Sequence, residues 1–196
     1  MAVDSFMYFL DYKGAYLKSE SQVDLSKTVG HKSILAKFQE AGQGGVFEIS
    51  DYSFDIEQVL SIGSQSSGAG AGKVTFNPFS ITRNIDISSP KIFQYACSGT
   101  PYKEVGLGLR KSSGGDSSGS FFLFFIFKLV AVKTISWAHD DESPKETTTF
   151  EYGGLNIQYG QQQPNGDIGA LIPGGWNRVR NISMMDPGVE IGASFN

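Results

Sequence analysis

Apolar and polar positions alternate with period two along most of this chain and fall into helical spacing at one clear place. Val105, Leu107 and Leu109 alternate with Glu104, Gly106 and Arg110, which predicts a strand. Residues 73–85 are rich in β-branched and aromatic side chains, with Val74 and Phe76 on one face, and read as another strand. Between them Ile92, Phe93, Ala96 and Cys97 share a face at helical spacing. Ser88 and Ser89 ahead of Pro90 offer an N-cap and a first-turn proline, and Gly99 offers the C′ stop. The pattern therefore predicts a short helix over Ser89–Ser98.

Elsewhere the alternation changes parity. Phe47 and Ile49 hold one parity, whereas Tyr52, Phe54 and Ile56 hold the other. Phe150 and Tyr152 precede Gly153-Gly154, and Leu155, Ile157 and Tyr159 follow with the opposite facing. One extra residue reverses facing, so 46–57 and 146–161 read as bulged strands, bent as a closed barrel or a two-layer sandwich requires. Residues 2–12 read as an aromatic-rich first strand. Residues 120–138 read as a long strand, apolar on both faces through its first half, which is either central to the core or partly at a subunit contact. Residues 14–45 are polar and poorly periodic, except that Ile34, Leu35 and Phe38 share a face over a helix turn or two. Residues 61–72 (SIGSQSSGAGAG) read as a flexible loop, 111–119 as a hairpin connection, 139–145 as an acidic turn and 183–196 as an irregular tail. The expected fold is a single domain, mainly β: a compact antiparallel β-barrel of two packed sheets with one short α-helix.

At 196 residues one domain is expected. The net charge of −4 and the small basic clusters (Arg110-Lys111, Arg178, Arg180) argue against a nucleic-acid surface. A single cysteine excludes an internal disulfide framework, and Cys97 on the apolar helix face reads as a buried small hydrophobe. The opening MAVDSFMYFLDYKG lacks a basic n-region and carries Asp4 and Asp11, so no cleavable signal peptide is expected. The apolar run Phe121–Phe127 and its extension to Val132 fall far short of the roughly 20 residues of a membrane helix.

Candidate chemistry adds little. Gly68-Ala69-Gly70-Ala71-Gly72-Lys73 superficially resembles a phosphate loop, but Val74 stands where a serine or threonine would hold magnesium, and a strand follows rather than a helix. His139-Asp140-Asp141-Glu142 lacks the alternating oxygen ligands and distal glutamate of a calcium loop. His31 and His139 lie far apart, and no GxSxG elbow is present. The reading is no enzyme, no cofactor and no metal. What stands out is apolar strand surface, with 15 Phe and 8 Tyr, more than a modest β domain needs for its own core. Such surplus is commonly an association site, and a monomeric β domain with one strand buried on both sides is the alternative.

The order of these signals resembles the haemolysin-coregulated protein (Hcp) family, the tube protein of type VI secretion systems. The resemblance rests on the opening Met-Ala-Val-Asp-x-Phe with Asp11-Tyr12-Lys13-Gly14, on Gly72-Lys73-Val74 entering a strand, and on the Ser89-Pro90 helix start. It continues through Ala96-Cys97, Leu109-Arg110-Lys111, Glu146 to Phe150, Tyr159 with Gln162, Asn165-Gly166 and Gly175-Trp176-Asn177. Residues 14–45 look like an insertion relative to that family, either a surface excursion or a cover over a neighbouring subunit. The resemblance implies homohexameric rings that stack into an inner tube, with sheath, spike and effector proteins as partners. It also implies residence in the bacterial cytoplasm, export through the type VI apparatus, and a chaperone role for effectors in the lumen. Gly68, Ala69, Gly70, Ala71, Gly72 and Lys73 would correspond to a ring-stacking loop, and Lys91, Gln94 and Tyr95 to the lumen side of the helix. Phe122, Phe124, Ile126, Lys128, Phe150, Tyr152, Ile157 and Tyr159 would close the ring. A monomeric β-barrel binding module and a specialised variant with altered stacking or cargo are the alternatives.

Overall fold

The computed structural model describes residues 3–26, 28, 32–61, 70–111, 119–139, 143–163 and 167–184. In chain order its elements are β1 (Val3–Leu10), α1 (Lys32–Ala41), β2 (Phe47–Glu48), β3 (Asp51–Ser53), β4 (Ile56–Ser61), β5 (Gly70–Phe76), β6 (Phe79–Asn84) and α2 (Ser89–Ser98). There follow β7 (Tyr102–Lys111), β8 (Ser120–His139), β9 (Pro144–Gln162), β10 (Ile168–Asn177) and β11 (Ile182–Ser183). The fold is mainly β with wholly antiparallel pairing, as the alternation predicts.

The pairings run in a circuit. β1 pairs β7, β7 pairs β8, β8 pairs β9, β9 pairs β6 and β6 pairs β3. β2, just ahead of β3, pairs back onto β1. The corner between β2 and β3 is held on both sides, by Ile49 N–H donating to the Ser5 carbonyl (3.0 Å) and Ser50 N–H to the Thr82 carbonyl (2.9 Å). This corrects the expectation of one bulged strand over 46–57. The parity reversal marks three short strands with three different partners: β1 for β2, β6 for β3 and β5 for β4. Likewise the strand expected over 73–85 divides into β5 and β6, and 70–72, expected in a loop, begin β5.

β8 and β9 reverse facing together. Lys128 pairs with Gly154 and Val130 with Tyr152, so the register is unchanged across the reversal. The device is Leu129, whose φ of 50° puts it in the left-handed region opposite Gly153-Gly154. Phe125 and Phe127 before it, and Val130 after it, thus enter the same core. That core lies inside the circuit and includes Phe9, Phe47, Phe79, Phe127 and Phe150, with Phe79 stacked between Phe127 (4.0 Å between centroids) and Phe150 (4.8 Å).

A second helix is present where one was expected, and it explains the doubly apolar half of β8. Ile34, Leu35, Phe38 and Ala41 of α1 are buried with Phe6 and Tyr8 of β1 and Phe121, Phe124 and Ile126 of β8. α1, with Leu25, therefore covers this chain's own sheet. Glycine on β7 makes the room: a Cβ at Gly106 would stand 2.3 Å from the Tyr8 ring, and one at Gly108 would stand 2.7 Å from Phe121 and 2.9 Å from Phe38.

An ionic clamp secures this cover. Buried Glu104 of β7 accepts from Lys37 of α1 (2.5 Å), from Lys128 of β8 and from the Tyr8 hydroxyl (2.5 Å). Burial pushes the Glu104 carboxyl up, but the Lys128 and Lys37 ammonium groups outweigh it and hold the group below the usual glutamate range. A depressed folded-state pKa stabilises above the unfolded value of about 4.3 and is lost as pH falls through the folded value. Urea midpoints measured against pH should therefore fall through and below about pH 4, and Glu104→Gln should flatten that part of the curve. Identical acid limbs for the two proteins would refute the clamp.

α2 spans Ser89–Ser98 as predicted and stops at Gly99 in the left-handed region (φ 66°). Its start differs: Ser88 makes no side-chain cap, because its hydroxyl donates to Asp86 Oδ1 (2.5 Å). Its packing stripe is also narrower than predicted. Ile92 is fully buried and Tyr95 packs on Tyr102, whereas Phe93 is half exposed and Cys97 is exposed. Cys97 is thus no core residue.

Candidate assembly surface

β4 and β5 pair only with each other among the described strands, forming a two-stranded hairpin apart from the main sheet. At its base Asn77 N–H donates to the Asp55 carbonyl (3.1 Å) and Asn77 Nδ2 to Asp55 Oδ2 (2.6 Å). Between hairpin and sheet runs a cleft of about 840 Å³, walled by Ile56, Gln58, Val74 and Phe76 on one side and by Leu155, Ile157 and Trp176 on the other. A second hollow of about 720 Å³ shares Val74, Phe76 and Asn181 with it and extends to Tyr152, Arg178 and Val179. The Arg178 guanidinium lies over the rings of Phe76 (5.3 Å) and Tyr152 (4.7 Å) and donates to the Tyr152 carbonyl (2.5 Å). That fixes Arg178 in the second hollow between two aromatic rings, with a cation–π contact to each.

Several large apolar side chains of the same elements and the turn after β10 face solvent. Ile172 is 69 % exposed and Val179 64 %, with Ile56, Tyr159 and Ile182 also exposed. Ile172 of β10 stands directly opposite Tyr159 of β9, so the two form one cross-strand apolar pair on the surface. β10 is paired on its second side only at Trp176 and Asn177, by β11. Ile172 and Tyr159 stand next to Gly174 and Ile157 of the cleft wall on the same face of β10 and β9, which extends its apolar surface and suits association with another protein.

The expected contact residues divide sharply. Phe124, Ile126, Phe150 and Tyr152 are at most 8 % exposed, in the cores of this chain, and have no surface left for a neighbour. Lys128 is half-buried on Glu104. Phe122 and Ile157 are half-buried, Tyr159 is exposed, and Ile157 lines the cleft. Lys91 and Gln94 are exposed on α2, while Tyr95 packs inward against Tyr102. Gly68 and Ala69 lie outside the described residues, and residues 70–73 belong to β5. Sequence reasoning missed Ile172, Val179 and Ile182. Gly169, Pro173 and Gly174-Gly175 interrupt the alternation around them, so only the isolated apolar letters signalled them. Among the described residues no cluster of His, Cys, Asp and Glu could hold a metal ion, and no helix is long and apolar enough to cross a membrane.

Three comparisons with known proteins bear on the family and the fold. Residues 29–159 match the family model described as type VI secretion system effector, Hcp. The chain is 30 % identical over 113 residues to protein hcp1 of Pseudomonas aeruginosa (strain PAO1), covering 56 % of this chain and 68 % of that protein. A solved type six secretion system protein superposes with a TM-score of 0.73 at 22 % identity, over 93 % of this chain and all of that one. Hcp1 from Salmonella typhimurium gives 0.66 at 21 %, over 94 % and 100 %. These last two likenesses speak for the fold.

Proposed function

From the premise that the chain belongs to the Hcp family, the tube subunits of type VI secretion systems, we propose that it works by assembling with copies of itself into a ring, and that rings stack into a tube. Residues 29–159 carry the family assignment. The observation that carries the assembly reading is the apolar cleft between the β4–β5 hairpin and the sheet, with exposed Ile172 and Tyr159 next along β10 and β9 from Gly174 and Ile157 of its wall and exposed Val179 in the adjoining hollow. A surface of that kind is costly to leave in water and is stabilised when a second copy covers it. In this reading the ring is homohexameric, a heterologous contact closes it, and a second contact stacks it. Ring closure falls to Phe122, Ile157 and Tyr159 together with the cleft walls. Stacking falls to Gly68, Ala69, Gly70, Ala71, Gly72 and Lys73, the last four of them in β5. Lys91 and Gln94 of α2 face the lumen, where effectors are carried. The role is mechanical and no cofactor takes part, and sheath, spike and effector proteins are the partners during export from the cytoplasm.

Light scattering on a sizing column across a concentration series tests this. The wild-type protein is expected near the mass of six chains. Ile172→Asp combined with Val179→Asp, both at exposed positions, should run as a single chain with an unchanged circular-dichroism spectrum. A wild-type protein that stays monomeric at every concentration would overturn the reading.

A further inference from the structure

A smaller pocket, built from residues the cleft does not use, lies where the turn after β1 meets α2. It holds about 320 Å³, near the lower end of the roughly 300–1,000 Å³ of small-ligand sites. Three aromatic rings line it (Tyr16, Tyr95 and Tyr102), with Leu17 and Ile87 completing the apolar part. Tyr95 and Tyr102 pack at 4.8 Å between centroids. The wall is fixed: Asp11 Oδ1 accepts from the amides of Lys13 and Ala15 (both 2.8 Å), and Leu17 N–H donates to the Phe9 carbonyl (2.9 Å).

Two features of the pocket are unspent. Tyr102 is 1 % exposed, and its hydroxyl has no hydrogen-bond partner among the described residues. A buried hydroxyl without a partner is costly and is usually a place awaiting an acceptor. At the mouth stand the exposed side chains of Lys18 and Lys91. Lys91 Nζ rests over the Tyr95 ring (5.0 Å), and Lys18 carries no ion pair or side-chain hydrogen bond among the described residues. Burial pushes the Tyr102 hydroxyl pKa well up, so it stays a donor at neutral pH.

We propose that this pocket binds a planar aromatic group with an oxygen acceptor at its inner end and a carboxylate at its outer end. The tyrosine rings hold the ring, the Tyr102 hydroxyl donates to the inner oxygen, and Lys18 and Lys91 meet the carboxylate. A small hydroxyaryl acid has this chemistry, and so does a tyrosine side chain beside an acidic residue in a peptide.

Saturation-transfer NMR on the assembled wild-type protein with 4-hydroxyphenylacetate is the test. A saturable signal is expected. It should weaken about tenfold for 4-hydroxyphenylacetamide, or in the Lys18→Gln, Lys91→Gln double variant, as loss of a charge-assisted contact implies. Tyr102→Phe keeps the ring and breaks no internal hydrogen bond, so the protein should fold normally. It should also erase the preference for 4-hydroxyphenylacetate over phenylacetate. Displacement at lower concentration by the peptide Gly-Asp-Tyr-Glu-Gly than by the free acid would identify a protein segment as the source, and the reverse order a small acid. No saturable signal, or a signal indifferent to all of these substitutions, would overturn the proposal.

Discussion

Phe38→Ala is expected to lower the unfolding free energy by about 3–5 kcal/mol, the cost of emptying a buried phenylalanine site. Phe38 is fully buried in α1. Its ring meets Tyr8 at 4.9 Å, Phe121 at 5.0 Å and Phe124 at 6.1 Å between centroids. It is therefore the central contact between α1 and the face of β1 and β8 that it covers. At this chain length the loss corresponds to a fall of roughly 6–20 °C in Tm. The same change should raise aggregation, because loosening α1 bares Phe121, Phe124 and Ile126 together. Phe93→Ala is the control: half exposed on α2, it should change stability by no more than about 0.5 kcal/mol. Both are read by urea denaturation at one fixed protein concentration, since assembly couples stability to concentration. A Phe38→Ala loss below about 1 kcal/mol would mean that α1 does not cover the sheet.

Phe38 also shows where sequence reading stops. The shared face of Ile34, Leu35 and Phe38 was legible, but the side chains it covers lie more than eighty residues away on β8. A helix of ten residues between polar flanks draws its stability from such packing rather than from its own signals. α2, by contrast, was readable to the residue, because Pro90 and Gly99 punctuate it locally. β7 was readable because period two runs through it, β8 because its apolar run is long, and β9 because alternation resumes on either side of one reversal. Parity reversals were seen correctly but have several physical causes. At 153–154 the cause is the left-handed Leu129 on the neighbouring strand, and near Ser50 it is a change of pairing partner. The contact surface was least legible. Parity says that Phe150 and Ile157 point away from their neighbours but not which face meets solvent. The structure buries the first and lines a cleft with the second.

The second large effect concerns a buried ion pair that no local pattern announces. Arg83 of β6 and Glu146 of β9 stand directly opposite in register and join at 2.8 Å, with side chains 2 % and 0 % exposed. Arg83 also donates to Asp86 Oδ1 (2.7 Å) and to the Ser89 hydroxyl (3.1 Å), while Glu146 accepts from Trp137 Nε1 (3.0 Å). The pair thereby ties the first turn of α2 to the β6–β9 junction. Replacing one member strands the other charge in the interior, which costs about 3–5 kcal/mol, whereas replacing both with apolar residues is often near neutral. Arg83→Met should show that single loss and the Arg83→Met, Glu146→Met double variant should recover much of it, so that the two single losses are far from additive. Hydrogen exchange adds a local reading, since amides of α2 should exchange faster in Arg83→Met as Ser89 and Asp86 lose their anchor. Asp86 gives a third: burial raises its carboxyl pKa, but its bonds from Ser88 and Arg83 hold it below the usual aspartate range. Removing Arg83 should therefore move its titration upward. Losses that add within about 0.5 kcal/mol in the double variant would show that Arg83 and Glu146 act separately, and the tie between α2 and the barrel would then rest on the packing of Ile92, Phe93 and Tyr95.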